Sequence, residues 1–101
     1  TNIKISNLKI DGNDANNTGT CYGIWFYKGN KYEISNTYIF DTEDEAIYLY
    51  NTHDNYIANN IVESSGSNGI RSHHNNYGNS HGRIVNNLIK GNAGRGIYIY
   101  N

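Results

Sequence analysis

Apolar residues along this chain recur in short alternating runs, the pattern of strands rather than helices. Ile24/Phe26, Ile47/Leu49 and Ile97/Ile99 each leave one residue between them, the period of a strand with one buried face. Four such runs share a frame that opens on a tiny residue followed by isoleucine: Gly23-Ile24-Trp25-Phe26-Tyr27, Ala46-Ile47-Tyr48-Leu49-Tyr50, Gly69-Ile70-Arg71-Ser72-His73 and Gly96-Ile97-Tyr98-Ile99-Tyr100. The steps from Ile24 to Ile47 and from Ile47 to Ile70 are equal, and the step from Ile70 to Ile97 is slightly longer. A second set alternates with the first: Ile5-Ser6-Asn7, Ile34-Ser35-Asn36, Ile57-Ala58-Asn59 and Ile84-Val85-Asn86. A third apolar column, Ile10, Ile39, Val62 and Ile89, follows those asparagines. Each unit therefore reads as three short strands separated by turns. The basic unit is about 23 residues, within the range of solenoid repeats. Insertions lengthen it ahead of the first Gly-Ile run and after the third.

A repeat of this length cannot bury its apolar face alone and must stack on its neighbours. Stacked in register at ~4.8 Å per coil, about four coils give three parallel sheets around an aliphatic interior. Ile47 and Ile70 are then expected to point fully inward. Asn7, Asn36, Asn59 and Asn86 hold one place in every coil, so their amides are expected to stack as a ladder at a tight bend. The plainer alternative is that asparagine simply favours turns.

The pattern Gly-Ile-Tyr-x-Tyr, turn, Ile-x-Asn-Asn-x-Ile, turn resembles the right-handed parallel β-helix superfamily. Its members include pectate lyases, polygalacturonases, phage tailspikes, alginate epimerases and periplasmic copper-maturation proteins. The resemblance covers essentially the whole chain and concerns fold, because the motifs that carry it are structural. It implies that the ladder lies between the second and third sheets, so the Gly-Ile runs form the first. It implies an all-β solenoid, with residues 1–101 a single segment of a longer β-helix without its end caps. Uncapped strand edges are expected to promote end-to-end association or a homotrimer.

Composition changes this picture little. Nineteen asparagines, eleven glycines and ten tyrosines around fourteen isoleucines suit many short strands joined by turns. A net charge of −1 provides no field to attract nucleic acid, and no apolar run is long enough for membrane insertion. Cys21 is the single cysteine, which rules out an intrachain disulfide, and it reads as a small, partly buried residue. Asn16-Asn17-Thr18 fits a glycosylation sequon.

Chemistry is expected on the outward face of the first sheet. The residues alternating with the inward isoleucines are Trp25 and Tyr27, Tyr48 and Tyr50, Arg71 and His73, and Tyr98 and Tyr100. Flat aromatic faces one coil apart suit the apolar faces of sugar rings. Arg71 and His73 interrupt both columns, and a cation between aromatics suits an acidic sugar. The plain alternative is aromatic packing across strands. Both insertions, Asp11–Thr20 and Ser72–His81, flank this face, and the resemblance implies a substrate cleft bounded by these two turn regions.

Asp41-Thr42-Glu43-Asp44-Glu45 crowds carboxylates beside Tyr48 and Arg71, so Asp44 or Glu45 could serve as an acid, or the turn could hold calcium. Without ligand spacing a solvated charged turn is the simpler reading. His53, Asp54, His73, His74 and His81 gather near one edge, with His81 stacked on Asp54, but no tight spacing marks a metal site. Two function classes follow. One is an extracellular polysaccharide-binding or polysaccharide-degrading β-helix, secreted or on a virion. In a lyase, Arg71 or His73 would take the proton α to a uronate carboxyl; in a hydrolase, two carboxylates would act. Trp25, Tyr27, Tyr48, Tyr50, Tyr98, Tyr100 and His74 would contact the glycan. The other class is a non-catalytic structural or adhesive β-helix of a cell surface or tail fibre.

Overall fold

The computed structural model describes residues 2–75 and 81–100. Twelve strands run in order: β1 (Ile3–Ser6), β2 (Lys9–Asp11), β3 (Ile24–Asn30), β4 (Tyr32–Ser35), β5 (Tyr38–Phe40), β6 (Ile47–His53), β7 (Asn55–Ala58), β8 (Ile61–Glu63), β9 (Ile70–His73), β10 (Gly82–Val85), β11 (Leu88–Lys90) and β12 (Ile97–Tyr100). Every third strand pairs in parallel. The first sheet is β3-β6-β9-β12, the second β1-β4-β7-β10 and the third β2-β5-β8-β11. This is a parallel β-solenoid of about three full turns, which stack four rungs in each sheet.

The register follows the isoleucines. Ile24, Ile47, Ile70 and Ile97 are successive partners in the first sheet, as are Ile5, Ile34, Ile57 and Ile84 in the second. Ile10, Ile39, Val62 and Ile89 are partners in the third. Inside the solenoid these residues form one core, in which Ile34, Ile39, Ile47, Ile57, Val62 and Ile70 are wholly shielded from solvent. Each such burial contributes about 1.5–3 kcal/mol. The end rungs have a neighbour on one side only, so Ile3, Ile97 and Ile99 are exposed. Crowding keeps the residue before the first-sheet isoleucine tiny at Gly23 and Gly69. A Cβ on Gly69 would lie 2.7 Å from the Gly96 carbonyl oxygen and 2.8 Å from Ile89 Cγ2.

The ladder is displaced by one residue from its expected place. Asn7, Asn36, Asn59 and Asn86 have φ of 58°, 49°, 58° and 53°. All four are exposed. They provide the left-handed corner between second and third sheets, which asparagine tolerates better than most residues. The side chain that turns inward belongs to the next residue: Thr37, Asn60 and Asn87. Asn60 Nδ2 donates to Asn87 Oδ1 and to the Ile34 carbonyl, both at 3.0 Å, and Asn60 Oδ1 accepts the Thr37 N–H at 3.0 Å. Asn87 Nδ2 donates to the Ile57 carbonyl at 2.9 Å. Leu8 holds this place in the first coil.

The same device recurs at the corner between the third and first sheets. Asp41, Ser64 and Gly91 have positive φ, and Thr42, Ser65 and Asn92 follow them. There Ser65 N–H donates to Asn92 Oδ1 at 2.9 Å, and Ser65 Oγ donates to the carbonyls of Ser67 and Asn68. A left-handed residue followed by an inward polar one thus satisfies the backbone at both bends.

The first insertion forms the loop from Gly12 to Tyr22, with a short 3-10 helix at Asp14–Asn16. Residues 76–80 of the second insertion lie outside the described residues.

Candidate functional site

Strand alternation places Trp25, Tyr48, Arg71 and Tyr98 in one outward column of the first sheet and Tyr27, Tyr50, His73 and Tyr100 in a second. The rings stack along the columns. Trp25 and Tyr48 lie 6.1 Å apart at 12°, and Tyr27 and Tyr50 5.4 Å apart at 3°. Trp25, Tyr27 and Tyr100 are 53%, 56% and 48% exposed, whereas Tyr48 is nearly buried at 8%. Trp25 and Tyr27 therefore offer free ring surface, and Tyr48 serves as packing beneath its neighbours.

A third column on this face goes beyond the sequence-based expectation. Tyr22, Glu45, Asn68 and Arg95 each precede the tiny residue and repeat in the same register, linked by Gly23 N–H to Glu45 O, Ala46 N–H to Asn68 O and Gly69 N–H to Arg95 O. Tyr22 packs against both Trp25 and Tyr48, each at 5.4 Å. The signal is present in the spacing, which matches that of the isoleucines step for step, but it stands before the strand frame begins.

Arg71 is enclosed. Its guanidinium carbon lies 5.0 Å from the Tyr48 ring and 5.7 Å from the Tyr98 ring, and Nη1 is 3.3 Å from Glu45 Oε1. Glu45 is 3% exposed, and the same oxygen accepts from Asn68 Nδ2 at 3.0 Å and Ser67 Oγ at 3.3 Å. The carboxylate is thus occupied by three donors, and Glu45 holds Arg71 in place. Asp44 lies apart from this pair in its contacts, with its backbone N–H donating to the Cys21 carbonyl at 3.0 Å. Burial, and then the charges of Asp44 and Glu45, raise the pKa of the Tyr22 phenol.

His73 joins the two strand columns. Nδ1 is 3.4 Å from Arg71 Nη2 and 3.3 Å from the Tyr48 hydroxyl. Arginine can only donate, so Nδ1 accepts and the proton is assigned to Nε2, which donates to Asn75 Oδ1 at 2.9 Å. Asn75 Nδ2 donates to the Tyr50 hydroxyl at 2.5 Å. Burial raises the Tyr48 phenol, with Arg71 opposing, so Tyr48 remains a donor here. Two further cations border the face: Arg95, 4.5 Å from the Tyr98 ring, and Lys28, 5.1 Å from the Tyr27 ring.

His74, expected among the glycan contacts, points inward instead. Alternation continues one residue beyond β9, so His74 is 2% exposed, with Nε2 3.1 Å from Ser72 Oγ and its ring 5.6 Å from that of His53. Burial, then the neighbouring His53 and His73, lowers its pKa. A histidine held neutral by the fold stabilises it fully above about 6.5, the pKa in the unfolded chain. That contribution is lost as pH falls from there through the lowered native value. The urea midpoint of the native chain is expected to decline below pH ~6.5, and His74→Leu should decline less over the same range. Parallel declines would remove His74 as the cause.

Among the described residues, no group of three or more histidine, cysteine or carboxylate side chains converges as a metal site. The acidic turn sends Glu45 to Arg71, and His73 and His74 point to opposite sides of the sheet.

Three parallel sheets, inward aliphatic columns and polar corner ladders define a β-helix. The family model for the right-handed β-helix region matches residues 1–101, and the chain belongs to that family. No curated protein and no solved structure matches it.

Proposed function

We propose that the outward face of the first sheet binds a glycan, and that the protein works where such chains are met, outside a cell or on its surface. The observation that carries this reading is the exposed aromatic pair of Trp25 and Tyr27, backed by register-stacked Tyr48 and Tyr50. The free ring surface of Trp25 and Tyr27 presents an apolar platform, and the surrounding hydroxyls, indole N–H and guanidinium groups supply polar contacts for a sugar's rim. Binding is favoured over turnover because three of the four candidate catalytic groups, Glu45, Arg71 and His73, are already engaged. Glu45 is buried among three donors, Arg71 is paired with it, and His73 accepts from Arg71 and Tyr48. In a lyase the His73 Nδ1 lone pair would have to be released from those donors before it could remove a proton.

A screen of immobilised neutral and acidic polysaccharides, followed by calorimetry on any hit, tests the reading. Trp25→Ala and Tyr27→Ala are each expected to weaken binding by about 1 kcal/mol or more, with little change in thermal midpoint. Unsaturated products appearing on incubation would favour the lyase instead. An unbound screen, or aromatic truncations that lower stability alone, would favour the structural or adhesive class.

A further inference from the structure

We infer that Asn68-Gly69 is a self-modification site guarded by the fold: Asn68 stays an amide while the solenoid is closed and converts to aspartate or isoaspartate once the chain opens. Asn68 is the single asparagine of nineteen that precedes a glycine. Glycine sets no side chain beside its own nitrogen, so in an open chain Gly69 N can attack Asn68 Cγ. The Gly69 N–H proton passes to base, a C–N bond forms, and the side-chain nitrogen leaves as ammonia with a proton from water. Water then opens the resulting succinimide at either carbonyl. One product is aspartate; the other is isoaspartate, in which the main chain runs through the former side chain.

Packing demands this labile pair. Crowding keeps residue 69 a glycine, since a Cβ there would also lie 2.9 Å from Asn92 Nδ2. Asn68 is buried; its Oδ1 accepts the Arg95 N–H at 3.0 Å, and its Nδ2 donates to Glu45 Oε1 at 3.0 Å. One acceptor end and one donor end answer both partners, a demand that an amide meets and a carboxylate does not. The same contacts block the reaction. Gly69 N–H donates to the Arg95 carbonyl at 2.9 Å, and the Asn68 carbonyl accepts from Ser65 Oγ at 3.0 Å and Ala46 N–H at 3.4 Å. The peptide is thus held by the coils on both sides, and attack on Cγ has to break the bonds to Arg95 and Glu45 together. Conversion therefore follows the population in which this part of the sheet has opened. Refolding does not undo it. Aspartate at 68 sets a second carboxylate against buried Glu45 and removes a donor that holds Glu45 beside Arg71. Isoaspartate adds one main-chain atom ahead of Gly69 and shifts Ile70 against its partners Ile47 and Ile97.

The test follows residue 68 by peptide mapping and mass spectrometry. Native chain and chain unfolded in guanidinium chloride are aged side by side in the same mildly alkaline buffer. Asn68 should convert at least about a hundredfold more slowly in the native chain. Chain aged while unfolded is then returned to native buffer and separated by shape. The folded fraction should keep Asn68 as the amide, and the fraction that fails to fold should carry the acid. Asn68→Asp should lower the thermal midpoint by about 5 °C or more, or fail to fold, whereas Asn36→Asp, at an exposed corner, should stay within about 2 °C of the native chain. Comparable conversion rates in the two states would show that the fold provides no guard. Acid at residue 68 shared equally between the two fractions, or an Asn68→Asp chain as stable as the native one, would show that the change has no structural consequence. Any of these outcomes overturns the inference.

Discussion

Ile70→Ala is expected to lower the unfolding free energy by ~2–4 kcal/mol, measured by urea denaturation. Ile70 is wholly buried, with Ile47 on one side of it in the ladder and Ile97 on the other. Its side chain fills a layer that the rungs on either side cannot reach, because each rung is fixed by backbone hydrogen bonds at the coil spacing. Truncation therefore leaves a cavity that relaxes poorly, adding to the lost transfer energy. Ile97 makes the control: it belongs to the same column but is 44% exposed, so Ile97→Ala should cost about 1 kcal/mol or less. Equal costs at the two positions would mean the interior is less closely packed than the register implies.

Asn60→Ala should destabilise by a similar ~2–4 kcal/mol, through polar groups rather than volume. Asn60 is 1% exposed, and its amide serves the Thr37 N–H, the Ile34 carbonyl and Asn87. Alanine leaves the Thr37 N–H and Ile34 carbonyl without those partners inside the solenoid, where each unmet group costs about 1–3 kcal/mol. Its neighbour separates the two roles at this corner. Asn59 is exposed with φ of 58°, so Asn59→Gly should be nearly neutral and Asn59→Ala should cost about 1 kcal/mol of backbone strain. Denaturation midpoints ranked with Asn59→Ala below Asn60→Ala would reverse the assignment.

That corner also shows where sequence reasoning stops. Period and register are legible because the Ile columns repeat against fixed markers, and every isoleucine pairing follows the sequence spacing. The phase of the ladder is not. Asn59-Asn60 and Asn86-Asn87 are doublets, and repetition alone is blind to which member turns inward. That choice depends on φ, which places the first asparagine in the left-handed region and so turns its successor to the interior. The two outward strand columns are legible from alternation, but the role of Glu45 is not. Within a run of acidic residues it reads as a solvated charge, and only the stacking of coil two on coil three brings Arg71 and Asn68 over it. His74 misleads for a related reason: a residue just past a strand looks like loop, although its side chain still follows the strand's parity.

The coils differ in length, and that inequality bears on how freely this architecture could be altered. In the second sheet the step from Ile5 to Ile34 is the longest, that from Ile34 to Ile57 the shortest, and that from Ile57 to Ile84 lies between them. Closing the longest of these coils rather than the shortest adds only about 0.2 kcal/mol of chain entropy, so folding barely registers the difference. The latitude is not shared by all corners. From the second sheet to the third the interval is the same in every coil, Ile5 to Ile10, Ile34 to Ile39, Ile57 to Val62 and Ile84 to Ile89. There the inward amide must meet its counterpart one rung away, and an added residue would carry it out of reach. Of the two corners beside the aromatic face, the one from the third sheet keeps an inward polar ladder at Thr42, Ser65 and Asn92, yet both insertions of the chain fall at these two corners. Loops can be grafted there at almost no thermodynamic penalty, making the border of that face the part of the molecule most open to redesign.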